Sequence, residues 1–271
     1  MARLLVISAC VALVSTAAYG RAVPDRIVSI DVDGTAFVVS LASGKTLSGA
    51  DLAGATLSLD RLGHVPLKVL VQSVEVDSMD PDHETLLYHM LAVDPRTGNT
   101  RELCNPDAQG QRWAFPLRGQ WDIEGRHLSD AGYTLTCTDG AQGKCVRFGY
   151  NPWKTLANGI RLDAYHQACI RLVRADYCGG YGTTRDGMLI DIYDNIGIQA
   201  ADPDAADLRF EAAWNERGAV CVAHTRVPEK ITLGQLQRQC PRLAGKLDPS
   251  VCTEANSGRW DEPVLLYNRS R

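Results

Sequence analysis

Four side chains able to do acid–base, nucleophilic or metal chemistry fall within AYHQACIRLVRADYCGG, residues 164–180: His166, Cys169, Asp176 and Cys178. His166 and Cys169 are three apart, so on a helix they share a face, a geometry that a metal site uses. An imidazole titrates near neutral pH, so His166 near a carboxylate is also raw material for acid–base catalysis. The competing chemistry is oxidation, which makes Cys169 and Cys178 staples and leaves His166 in the core. A second cluster, AVCVAHTR, places Cys221 and His224 on an expected strand. Three apart on a strand, they point to opposite faces and cannot pair as nucleophile and base. His224 could still meet His166 or Asp176 across the fold, so these three are the candidate catalytic residues.

The cysteines, taken as a set, favour staples. The first residues, MARLLVISACVALVSTAAYGRA, combine a basic Arg3, an apolar run from Leu4 to Ala18 and small residues beyond it. That three-part pattern describes a signal peptide over residues 1–20, with an apolar run too short to span a membrane comfortably. Cleavage there removes Cys10 and leaves eight cysteines: Cys104, Cys137, Cys145, Cys169, Cys178, Cys221, Cys240 and Cys252. An even count in an exported chain implies a disulfide framework, with its connectivity left open. No C-x-x-C spacing of an oxidoreductase or zinc knuckle occurs. The expected location is outside the cytoplasm: periplasmic, cell-surface or secreted. ISAC, ending at Cys10, looks like a lipoprotein box, but the apolar run continues past Cys10, so a lipid anchor is not expected.

Other motifs fail for want of context. IVSIDVDGTAF looks like the first motif of haloacid-dehalogenase-type phosphatases, with Asp31 as nucleophile and Asp33 as acid, base and magnesium ligand. That chemistry needs a parallel α/β sheet, whereas the residues that follow read as more strand and turn. Asp33-Gly34 between β runs is a hairpin signal in its own right. GGYGTTRDG, residues 179–187, follows a helix, and a phosphate cradle should precede one. DPDAAD, residues 202–207, lacks EF-hand spacing. H-E-x-x-H and G-x-S-x-G are absent. No cofactor and no metal site are expected. The net charge of −4 is mild and Lys and Arg are scattered, which argues against nucleic acid and anionic membranes.

The elements that must position these residues are mostly strands. RIVSI, TAFVVSL, PLKVLVQSVEV, TLLYHMLAV and AGYTLTC are rich in β-branched and aromatic residues and separated by turn chemistry. LSGADLAGATLSL, which superficially suggests pentapeptide repeats, is taken as an ordinary ribbon. LDAYHQACIRLVRADYC shows helical spacing, with Leu162, Tyr165, Cys169, Leu172 and Val173 on one face. MLIDIYD, LRFEAAW, AVCVAHT and PVLLYN read as strands, and ITLGQLQRQC as a short helix capped by Thr232 and ended by Pro241. The expected fold is α+β and β-rich, with antiparallel sheets, a main helix at about 162–176, a short one at about 232–240, and disulfides. A β-rich region, 21–138, precedes a cysteine-rich α+β region, 139–271, and the two could form one continuous domain.

At RADYCGG the chain resembles the ADYC-domain family of bacterial exported proteins, through Ala175-Asp176-Tyr177-Cys178. KCVRFGYNPWK, HQACIRLVRADYCGG, TRDGMLIDIYDNIGIQ, FEAAWNERGAVCVAHTR and the later QCP extend the likeness across about residues 136–241. The resemblance implies an exported, cysteine-rich protein, sometimes a lipoprotein, and carries no established activity or catalytic residue. The leading functional reading is an exported binding or structural module of unknown partner. The alternative is a hydrolase with a cryptic His/Asp site acting on an envelope or extracellular substrate. Arg174, near the helix end, is placed to meet the terminal carbonyls. Asp176 sits badly against the helix dipole unless it finds a partner, with Arg185 or the amides of GGYGTT as the options.

Overall fold

The computed structural model describes residues 25–61 and 64–271; the expected signal peptide and Cys10 lie outside the described residues. Three antiparallel sheets and three α-helices make up the described fold. The first sheet is a meander of β1 (Ile27–Asp33), β2 (Ala36–Leu41) and β3 (Thr46–Ser48). Asp33 pairs with Ala36, so the Asp33-Gly34 signal is a hairpin turn. The second sheet holds β4 (Thr56–Arg61), β5 (His64–Val76), β6 (Leu86–Val93), β7 (Thr100–Glu102), β8 (Trp113–Trp121) and β9 (His127–Cys137). Its order is β4-β5-β6-β8-β9, with β7 also on β6. The antiparallel β1–β2 pairing removes the crossover sheet that a phosphatase reading of Asp31 and Asp33 requires.

Alternating strand residues place Val32, Phe37 and Val39 of the first sheet in one core with Leu57, Val69, Tyr88, Phe115 and Leu117 of the second. Two polar pins cross between these sheets. The Phe37 amide donates to the Tyr88 hydroxyl at 3.1 Å, and the Leu86 amide donates to Thr35 Oγ1 at 2.7 Å.

The third sheet contains β10 (Asp191–Asp194), β11 (Arg209–Asn215), β12 (Gly218–Val222) and β13 (Leu266–Ser270), in the order β10-β13-β11-β12. One face of it shares a core with α1 (Ala141–Arg147) and α2 (Asp163–Arg174) through Trp214, Val222, Cys169 and Leu172. The other face carries Tyr193, Cys221 and Tyr267 against Cys252. Helix α1 lies at the seam, with Cys145 in the core of the third sheet and Val146 in that of the first two. α3 (Leu233–Gln239) starts with a capping box between Thr232 and Gln235 and gives way at Pro241 to a 3₁₀ turn.

All eight cysteines among the described residues are oxidised: Cys104–Cys137, Cys145–Cys169, Cys178–Cys240 and Cys221–Cys252. No helix among the described residues is long and apolar enough to cross a membrane.

Several local expectations change. LSGADLAGATLSL is interrupted by a 3₁₀ turn, Gly49–Leu52. On α2, Tyr165 and Val173 are only half-buried, while His166, Ala168, Ile170 and Arg171 are buried beside Leu162, Cys169 and Leu172. The helix is covered by the third sheet on one side and by the β8–β9 turn on another, so its buried arc is wider than one stripe. β12 ends at Val222, which leaves His224 beyond the strand, so the opposite-face argument does not apply to it.

Candidate functional site

α2 is held against the β-rich half by the β8–β9 turn. Gln167 Nε2 donates to the Gly125 carbonyl at 2.9 Å, and Arg174 Nη2 donates to Glu124 Oε2 at 2.7 Å. Gly125 has φ +71°, and a Cβ there would lie 2.7 Å from Ile170 Cγ2, so both conformation and closeness select glycine. Arg174 therefore reaches across to another element instead of meeting its own helix carbonyls.

Beside this junction a cleft of about 680 Å³ opens between the two halves. Val32, Asp33 and Gly34 of the first hairpin line it, as do Arg118, Trp121, His127 and Asp130 of β8 and β9. The opposite wall comes from Pro152 and Trp153, from Arg161, Asp163, Ala164, His166 and Gln167 around the start of α2, and from Glu216. Trp153 packs over Gly34, so the first hairpin and the loop before α2 meet at the rim.

His166 is the buried polar group of this wall. Its Nδ1 lies 2.9 Å from the Tyr150 carbonyl oxygen, which can only accept, so Nδ1 carries the proton. Nε2 is then a bare acceptor, and it is buried with no hydrogen-bond partner among the described residues. The Trp121 ring meets the imidazole edge to face, with centroids 5.9 Å apart, and Trp121 Nε1 donates to Gln167 Oε1 at 3.2 Å. Burial pushes the His166 pKa down to about 4, outweighing the Tyr150 bond, which acts in the opposite direction. A neutral acceptor is therefore present at any pH above about 5.

A stability consequence follows with a definite sign. Between pH 6.5 and about 4 the unfolded chain binds a proton at His166 and the folded chain does not, so stability falls as pH falls through that window. The expected loss is about 3 kcal/mol, most of it gone in a His166→Gln variant. Urea midpoints at pH 7 and pH 4.5 for both proteins check it, and equal slopes would remove the assignment.

Asp176 lies elsewhere and is fully bonded. Its Oδ2 accepts from Arg171 Nη1 at 2.6 Å, and its Oδ1 accepts from the amides of Gly179, Gly180 and Tyr181 at 2.8, 2.8 and 3.1 Å. The amides of the glycine turn are thus its partners, and the arginine is Arg171. Arg185 instead faces Glu229 at 3.5 Å. Each residue of the tetrapeptide has a mechanical task. Ala175 takes the left-handed conformation that ends α2, Asp176 ties the turn, and Cys178 bonds Cys240. Tyr177 stacks on Trp214, its hydroxyl donating to Glu211 Oε1 at 2.8 Å and accepting from the Arg226 amide at 2.8 Å.

His224 Nε2 lies 3.5 Å from the Arg209 carbonyl. Among the described residues, no hydrogen bond or ion pair joins any two of His166, Asp176 and His224. Nor does any group of three or more His, Cys, Asp or Glu stand ready to hold a metal among those residues. Asp31 is exposed and accepts from Arg118 Nη2 at 2.9 Å. Only His166 of the expected trio lines the cleft. Trp121, Trp153, Asp33 and Glu216, its other distinctive groups, carry no shared spacing that would have linked them in advance.

Fold and site together define a disulfide-stabilised, β-rich α+β protein whose signature turn is structural and whose cleft lies between its two halves. The chain belongs to the ADYC domain family, whose model matches residues 49–228. No curated protein and no solved structure matches the chain.

Proposed function

We propose that this protein is exported and acts as a binding module whose ligand occupies the cleft around His166. The carrying observation is a cleft of small-molecule size whose wall holds a neutral, pinned imidazole with an unpartnered acceptor. An uncommitted buried acceptor is costly unless something donates to it, and a ligand or water supplies that donor. Among the described residues no Ser, Thr or Cys side chain bonds His166, and Asp176 is engaged elsewhere, so the arrangement favours holding a molecule over cleaving one. Export is supported by the N-terminal pattern of residues 1–20 and by four disulfides, which persist in oxidising compartments. On this reading the 21–138 and 139–271 regions work as a unit, because each contributes one side of the cleft.

The test is a thermal-shift screen of the protein purified from an oxidising compartment, against saccharides, short peptides, polyamines and nucleotides. At least one class is expected to raise the midpoint, and Trp153→Ala to abolish that rise while its own unfolding stays cooperative. Stabilisation that Trp153→Ala leaves intact would place the site elsewhere. Turnover of an ester, peptide or glycan that is lost in His166→Gln would favour the hydrolase reading.

A further inference from the structure

Resting on the reading of the cleft as a ligand site, we propose that the cleft takes a neutral oligosaccharide. A pyranose ring has an apolar C–H face and a rim of hydroxyls that both donate and accept. It is best held by an aromatic face beside mixed donors and acceptors on planar side chains. The cleft presents that combination. Trp121 and Trp153 supply indole surface, and Trp153 is exposed within the wall. His166 lines the wall, and its Nε2 is a buried acceptor without a hydrogen-bond partner among the described residues. Arg161 forms a forked pair with Asp163, with nitrogen–oxygen distances of 3.4 and 2.9 Å, and such a pair offers donors and acceptors side by side.

Charge narrows the class further. The two cleft guanidiniums are already neutralised, Arg118 by Asp31 and Arg161 by Asp163. The Asp33 and Glu216 carboxylates have no hydrogen bond or ion pair among the described residues. An anionic ligand would therefore meet unpaired carboxylates without a free cation. A cationic ligand would suit those carboxylates but leave the remaining donors of the two paired guanidiniums unused. A neutral polyol satisfies both sets.

Calorimetry and tryptophan fluorescence on the full disulfide-bonded protein test this with cellopentaose, chitopentaose and maltopentaose as probes, and spermidine and trilysine as cationic controls. One pentasaccharide is expected to bind and to quench or shift the emission. Trp153→Ala should weaken it by ten-fold or more, and the exposed Asp33→Asn about five-fold. Both variants must retain a cooperative thermal transition, and Asp33→Asn serves if Trp153→Ala does not. Binding of spermidine or trilysine, lost in the variants, with no pentasaccharide binding, would overturn the saccharide while leaving the cleft as the site. A pentasaccharide bound equally by both variants would overturn the cleft itself, and no binding by any probe would overturn both.

Discussion

Arg226→Met is expected to destabilise the protein by about 5 kcal/mol, a large part of the stability of a typical domain. Arg226 and Glu211 are both buried and meet through two bonds, Nε to Oε2 at 3.0 Å and Nη2 to Oε1 at 3.1 Å. Burial, the largest single effect, would raise the Glu211 carboxyl; the Arg226 charge and the hydrogen bonds from Arg226 and Asn268 together outweigh it and hold the group below its usual range. The same guanidinium caps α2, donating to the Leu172 carbonyl at 2.9 Å and the Val173 carbonyl at 3.0 Å. Methionine leaves a carboxylate buried without its counter-charge and two helix-end carbonyls without donors. Denaturant unfolding of Arg226→Met beside a Glu211→Leu/Arg226→Met double variant separates the causes. The double variant should recover a good part of the loss, because it removes the stranded charge. A single variant costing less than about 1 kcal/mol would show that the pair is not what holds this region. For the wild type, the contribution of Glu211 is present above its unfolded pKa and is lost as pH falls through the depressed folded value.

Deleting residues 266–271 is expected to prevent the third sheet from forming, a larger effect than any single substitution. β13 pairs with β10 through Asp191–Arg269 to Asp194–Leu266, and with β11 through Arg209–Ser270 to Trp214–Leu266. It lies between them, so its loss strands β10 and opens an edge on β11. The deletion also removes Asn268, which donates to Glu211 Oε2 at 2.7 Å and accepts from Trp214 Nε1 at 2.7 Å. The expected readout is loss of the near-ultraviolet signature of the buried Trp214, with reactive thiols on expression under oxidising conditions. A truncated chain that still unfolds cooperatively at the full-length midpoint would show that the strand is dispensable. Residues 229–271, outside the family match, thus supply a central strand and both Cys240 and Cys252, the partners of Cys178 and Cys221.

Where local chemistry is strong, the elements could be read directly. Thr232 with Gln235 is a capping box in sequence and in space, and Asp33-Gly34 is a hairpin turn in both. Pro116 interrupts WAFPLRGQW and so hides β8 in the sequence. Trp113 directs its carbonyl toward β9, accepting the Thr138 amide, so alternation turns residue 116 toward the β6 side. There the β6–β8 pairing has ended at Ala114, and the missing proline donor costs no ladder bond. Gly143 weakens AQGKCVR as a helix and so hides α1 in the sequence. Its reason is tertiary, since a Cβ there would lie 2.2 Å from the Cys137 carbonyl oxygen.

Residue identity and spacing alone determined the β-rich α+β class, the two best-marked helices, the turns and a disulfide framework of eight cysteines. They also tied Asp176 to a specific partner, because a carboxylate at a helix C-terminus cannot remain alone. Only the tertiary structure decided which cysteines pair and that Arg171 rather than Arg185 answers Asp176. It also set Arg226, from past the end of β12, on the end of α2, and separated His166 from Asp176 and His224. The cleft belongs to the same category. Its tryptophans, carboxylates and imidazole come from strands, turns and a helix far apart in the chain. Local patterns encode backbone conformation within a few residues, while long-range pairing depends on which buried surfaces and charges satisfy one another once the halves have closed.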